Sequence, residues 1–216
     1  MQETAMSIKH IILTTLMFVM IPILARIIDI FVVQETISLM ISMNLLGTAI
    51  IIYNWQLLEL HYQRIKGKSD LLFYLIVDIA AIALIFYLGN RFFKADILIA
   101  SKEALKAYGH SRIGMVFAFS YIEAAIVNIT FKCITDHLNI KQKELQVVLT
   151  TAISFGFLFT FIFVPLDLSL LIRTYVYNLF LISILSYSYN QTHSILPGIF
   201  SMGLIYLIVL LLRVHL

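Results

Sequence analysis

Three ionisable side chains lie deep inside apolar stretches of the sequence: Asp78, Glu123 and Arg173. A charge within a bilayer is expensive, so such groups mark proton relays, transport paths or the ion pairs that lock a helix bundle. We expect Arg173 to pair with Asp78 or Glu123, since an ion pair would lower this cost. Arg26 and Asp29 are three residues apart in the first apolar stretch and can meet on one helix face.

The histidines and the single cysteine restrict the hydrolytic chemistry that Glu123 could support. A zinc hydrolase needs neutral imidazoles beside the carboxylate that activates its water. All six histidines instead fall at the ends of apolar stretches or in polar breaks, so we expect no bound metal and no other cofactor: His10, His61, His110, His137, His193 and His215. A shallow site of His137 and His193 is an alternative. Cys133 could be a nucleophile with His137 as its base, or could pack as a small hydrophobe.

Membrane helices must position these residues. Of the 216 residues 61% are apolar and only 12% are charged, about half the charged fraction of soluble domains. About seven stretches approach the roughly 20 apolar residues that a spanning helix needs, and none alternates like a barrel strand. The sequence therefore predicts an all-α polytopic membrane bundle in one domain, residues 1–216. The predicted spans are 8–33, 37–57, 70–89, 112–134, 147–165, 168–188 and 195–213.

The polar break after the third stretch is long enough to hold a helix of its own. Near residues 92–108 an aromatic and aliphatic face lies opposite several lysines, which is typical of a helix in the headgroup region, although a solvated connector has the same charge pattern. The first stretch exceeds the core of a signal peptide and is predicted to be retained. Lysine and arginine divide almost equally between the two sides, so orientation is not predicted.

Three segments of the C-terminal half resemble the motifs of the CPBP family, also called Abi, which includes membrane CAAX proteases and bacteriocin-immunity-like proteins. Tyr189-Asn-Gln-Thr-His-Ser-Ile-Leu-Pro-Gly-Ile-Phe-Ser-Met202 is similar to the last motif, and Ser154-Phe-Gly-Phe-Leu-Phe159 is similar to the second. Ile122-Glu-Ala-Ala-Ile-Val-Asn128 is similar to the first. Their order and spacing agree with the family, so the resemblance implies a CPBP-like core over roughly residues 112–213.

The resemblance also implies that the family's hydrolytic site has been lost. By the family's mechanism, two histidines and a glutamate pair assemble a metal and its activated water, and an arginine follows the glutamate pair in the first motif. Here Glu123 is kept, while the second glutamate, the arginine and the two histidines are replaced by Ala124, Asn128, Phe159 and Met202. A phenyl ring and a thioether cannot substitute for two imidazoles on zinc. The chain is then similar to a pseudoenzyme that has retained the fold.

A degenerate member of this family is expected to bind another protein instead of cleaving it. We expect a scaffold or regulator of a partner membrane protein in a prokaryotic plasma membrane, in cell-envelope processes or bacteriocin immunity. Small residues could admit a partner helix or pack the bundle itself: Gly114, Ala118, Ala124 and Ala125. The net charge of +3 belongs to loops beside apolar helices, so we expect the lipid bilayer as a partner and no nucleic acid.

Two other functions fit the same residues. An active intramembrane endopeptidase would use an atypical site around Glu123, with His137, His193 or Cys133 recruited. A small transporter or channel subunit would line its path with Asp78, Glu123 and Arg173, although the symmetric halves and mid-membrane helix breaks of many transporters are not evident in the sequence.

Overall fold

The structure is a computed structural model that describes residues 7–32, 35–66, 70–89, 91, 112–137, 144–163 and 167–215. These residues form helices throughout, which confirms the all-α class predicted from the sequence. The predicted interfacial helix near 92–108 lies outside the described residues. The helices are α1 (Ile8–Val32), α2 (Glu35–Tyr53), α3 (Trp55–Ile65), α4 (Leu71–Leu88), α5 (Arg112–His137), α6 (Glu144–Phe163), α7 (Leu168–Thr192) and α8 (Leu196–His215).

Among the described helices, α1, α4, α6 and α7 are long and apolar enough to cross a membrane. The pair α2 and α3 supplies a fifth crossing if it counts as one span. The apolar part of α8, Leu196–Leu212, is shorter. Several apolar helices of this kind characterise a membrane-embedded protein, while the count of about seven spans stays a prediction.

The outer faces of these helices are as apolar as their inner faces. On α1, Phe18 and Ile21 are fully buried, whereas Leu16, Ile23 and Ile27 are about half exposed. An aqueous helix would carry polar groups on that outer face. A helix that is apolar all round suits a position between lipid on one side and protein on the other.

Helix α5 occupies the centre of the bundle. It packs mainly against α8, α2 and α1, and it also contacts α6 and α7. Every side chain from Glu123 to Cys133 is buried, so the helix is enclosed on all sides over three turns. This stretch contains Glu123, Asn128, Thr130 and Lys132, and the polar groups of a membrane protein are expected to face the bundle interior.

The predicted span over 37–57 is interrupted at Asn54. Helix α2 ends at Tyr53, and α3 leaves its axis at 64°. The Asn54 Nδ2 donates to the carbonyl of Ile50 at 2.9 Å and to Thr14 Oγ1 on α1 at 3.2 Å. A side-chain amide that bonds the preceding turn competes with the regular helix pattern, and here it also anchors the bend to α1.

Candidate functional site

Glu123 is the most unusual polar residue of the described structure. It lies in the middle of α5 and is only 1% exposed. Neither carboxyl oxygen has a hydrogen-bond partner. Because an unpaired buried carboxyl is costly, its presence at the centre of the bundle indicates either a function or a tolerated loss of stability.

Two tyrosines from other helices lie near Glu123, and a phenylalanine from a third helix packs against both of them. Phe86 on α4 packs edge-on against Tyr177 on α7, with ring centroids 5.8 Å apart, and against Tyr206 on α8 at 5.1 Å. Both tyrosine hydroxyls lie near one another and within electrostatic range of Glu123. The Tyr177 hydroxyl nevertheless makes no well-aligned hydrogen bond. We call Glu123, Phe86, Tyr177 and Tyr206 the acid–aromatic cluster.

Sequence reasoning identified Glu123 but missed its aromatic neighbours as members of a site. The available signal was that a tyrosine hydroxyl inside an apolar stretch needs a polar partner when it is buried. The sequence contains 11 tyrosines, so that signal alone does not select these two.

Two of the motif positions are brought into contact by the packing of α5 against α8. The Asn128 Nδ2 donates to the Ala124 carbonyl at 2.8 Å and approaches the Met202 Sδ at 3.9 Å. Both residues are fully buried. The Asn128 Oδ1 has no hydrogen-bond partner and faces Gly198 on α8. An amide and a thioether therefore fill this part of the bundle interior.

Phe159, the replaced histidine position of the second motif, lies in an apolar contact between α6 and α1. Its ring lies 6.1 Å from Phe18 and 6.1 Å from Phe155, and the Phe18 and Phe155 rings are 5.9 Å apart. Such ring pairs contribute about 0.5–1.5 kcal/mol beyond their burial. Phe159 thus packs two helices together.

The expected ion pair of Arg173 is not formed. Arg173 is exposed, Asp78 accepts a hydrogen bond from the hydroxyl of Ser188, and the Glu123 oxygens have no hydrogen-bond partner. The physical reason is that Arg173 turns outward from α7, where its charge can reach the membrane boundary. Asp78 and Ser188 instead link α4 to α7.

Other candidate residues lie apart from the acid–aromatic cluster. Asp29 accepts a hydrogen bond from Ser38 on α2 at 3.3 Å. Cys133 is fully buried in the hydrophobic core, which suits a packing role, while the side chain of His137 lies outside the description. Within the described residues, no group of three or more histidine, cysteine, aspartate or glutamate side chains is placed to hold a metal ion.

The small residues expected to allow close helix contact are partly buried in the bundle and partly exposed on its surface. Ala124 and Ala125 are buried in the core, where they pack the bundle itself. Ala118 is exposed, and the surroundings of Gly114 lie outside the described side chains.

Comparison of this chain with known protein families, with curated proteins and with solved structures finds no match.

Proposed function

We propose that this chain is a catalytically inactive, CPBP-like membrane protein that binds and regulates a partner membrane protein. Its place of action would be a prokaryotic plasma membrane, in cell-envelope processes or bacteriocin immunity. The contact between Asn128 and Met202 carries this proposal. At the positions where the resembled family holds an arginine and a metal-binding histidine, the two side chains are buried against each other.

Phe159 supports the same proposal from a different helix. The resembled family has a second histidine at this position, whereas here the ring packs with Phe18 and Phe155. An aromatic ring in such a contact supplies no ligand for a metal and no base for hydrolysis. Of the glutamate pair in the resembled family's first motif, this chain retains only Glu123.

We expect the tagged protein, solubilised from its native membrane, to retain one companion membrane protein at a constant ratio. The Glu123→Gln variant should retain that companion to the same extent, because a holding function does not need an ionisable group at this position. Crosslinking before solubilisation, followed by quantitative mass spectrometry of both samples, measures the two ratios. Asp78→Asn serves as a control for removing a different buried acid.

Two results would contradict the proposal. Stoichiometric zinc in the purified protein, with peptide cleavage that Glu123→Gln abolishes, would establish the intramembrane endopeptidase instead. Ion flux in liposomes that Asp78→Asn abolishes would favour the transporter.

A further inference from the structure

An open groove runs along the outer side of α1. Its volume is about 510 Å³, which lies within the range of pockets that hold small ligands. The described residues that line it all belong to α1, from Ile8 to Met20, and among them only Thr15 is polar. In its outer row Ile8, Ile12 and Leu16 are more than half exposed, so no described helix covers this side of α1.

The groove begins at the level of the membrane boundary. His10, in the first turn of α1, stacks on Tyr53 at the end of α2 with ring centroids 4.2 Å apart. Trp55 follows the bend after α2 and is 63% exposed. Tyrosine and tryptophan concentrate at the membrane–water interface. These rings therefore place the first turn of α1 near the lipid headgroups.

The length of the groove matches one leaflet of a bilayer. A helix rises about 1.5 Å per residue, so the lining from Ile8 to Met20 extends for about 18 Å. The hydrocarbon core of a bilayer is about 30 Å thick, and one leaflet fills about half of it. The groove thus runs from the headgroups to the middle of the membrane, as the acyl chain of a lipid does.

A cation lies at the boundary end of the groove. Lys9 is exposed in the first turn of α1. It shares a side of the helix with Leu16, which lies two turns further along and lines the groove. A lysine side chain can keep its methylene groups in apolar surroundings while its ammonium group reaches the headgroups. A positive charge at this level favours an anionic lipid.

The lining favours a flexible chain over a partner helix. Helices that associate within a membrane approach each other closely through small residues. The described lining has a single small residue, Thr15, and four larger β-branched ones: Ile8, Ile11, Ile12 and Val19. Branched side chains of this size keep a helix backbone at a distance, whereas an acyl chain can lie between their rows.

We propose that the groove of α1 binds an acyl chain of an anionic phospholipid, with the phosphate of that lipid at Lys9. Packing contacts along the groove hold the chain, and the charge of Lys9 selects the headgroup. This lipid site lies apart from the acid–aromatic cluster, and it does not depend on the proposed binding of a partner protein.

Native mass spectrometry of the full chain in nanodiscs with equal amounts of phosphatidylglycerol and phosphatidylcholine tests the groove. Wild-type protein should retain phosphatidylglycerol preferentially. Thr15→Trp places an indole in the groove and should lower this retention by about fivefold or more, because the packing contacts of the chain are lost. Leu24→Trp is the matched control, because Leu24 is a half-buried residue of α1 beyond the groove, and it should retain the lipid as wild type does.

The same experiment tests the role of the lysine. Lys9→Gln should reduce the preference for phosphatidylglycerol over phosphatidylcholine by about fivefold, as expected for loss of one cation near the membrane surface. Lys66→Gln removes an exposed cation outside the groove, and the preference should change by less than about twofold because salt screens distant charges.

Three results would overturn the proposal. The first is equal lipid retention by Thr15→Trp and Leu24→Trp, and the second is an equal response of Lys9→Gln and Lys66→Gln. The third is a dimer that retains no lipid and that Thr15→Trp dissociates, which would assign the groove to a second copy of the chain. Unfolding midpoints show whether each variant is folded, and Val19→Phe fills the same groove if Thr15→Trp does not fold.

Discussion

Replacing Gly198 with alanine should lower the free energy of unfolding by about 1–3 kcal/mol, the usual cost of overpacking a tight interior. A methyl group at this position would overlap the Asn128 Oδ1 and lie 3.1 Å from the Leu185 Cδ2. Asn128 has little room to move, because its Nδ2 is bonded to the Ala124 carbonyl and approaches Met202. Unfolding in mixed micelles with increasing dodecyl sulfate measures the difference.

Gly156→Ala is the matched control for this substitution. A methyl group at Gly156 meets nothing nearer than the Leu179 backbone nitrogen at 3.5 Å, which is an ordinary contact. Alanine is also the better helix former, by about 0.8–1.0 kcal/mol. Gly156→Ala should therefore keep or raise the stability. If Gly198→Ala and Gly156→Ala lower the free energy of unfolding equally, α8 does not approach α5 closely at Asn128.

Replacing Glu123 with methionine should raise the free energy of unfolding by about 1–3 kcal/mol, the cost of leaving a buried polar group without a partner. Methionine fills a similar volume and adapts to irregular surroundings. Lysine at the same position should destabilise the fold strongly, because a longer cationic group would be buried in the bundle interior without an anionic partner. The same micelle titration measures both variants.

Asp78→Leu supplies the contrast, because Asp78 has a partner. Its carboxylate accepts a hydrogen bond from Ser188, so the substitution removes a link between α4 and α7. We expect a loss of about 0.5–1.5 kcal/mol, typical of one buried hydrogen bond. If instead Glu123→Met is the more destabilising of the two, the carboxyl of Glu123 has a bound partner in the functional protein, and the endopeptidase or transporter gains support.

The polar residues were the most informative part of the sequence. Glu123 and Asp78 stood out because an acid inside an apolar stretch must be explained, and both are buried in the bundle. Arg173 stood out for the same reason, but its long side chain turns outward instead of pairing. Sequence position alone could not decide between these outcomes, because the rotation of α7 about its axis depends on its neighbours.

Hydrophobicity by itself determined that the chain forms membrane helices, since apolar stretches of this length can satisfy their backbone only as helices within lipid. It could not determine which helix lies at the centre. Lipid is as apolar as the protein interior, so an apolar side chain does not indicate whether its position faces lipid or protein. Only the packing of α5 among α1, α2, α7 and α8 decided that Glu123 is enclosed on every side and that Asn128 meets Met202. The same packing brings Tyr177 of α7 and Tyr206 of α8 near the carboxyl. These contacts depend on side chains far apart in the chain, whose proximity arises from helix packing and not from any local pattern.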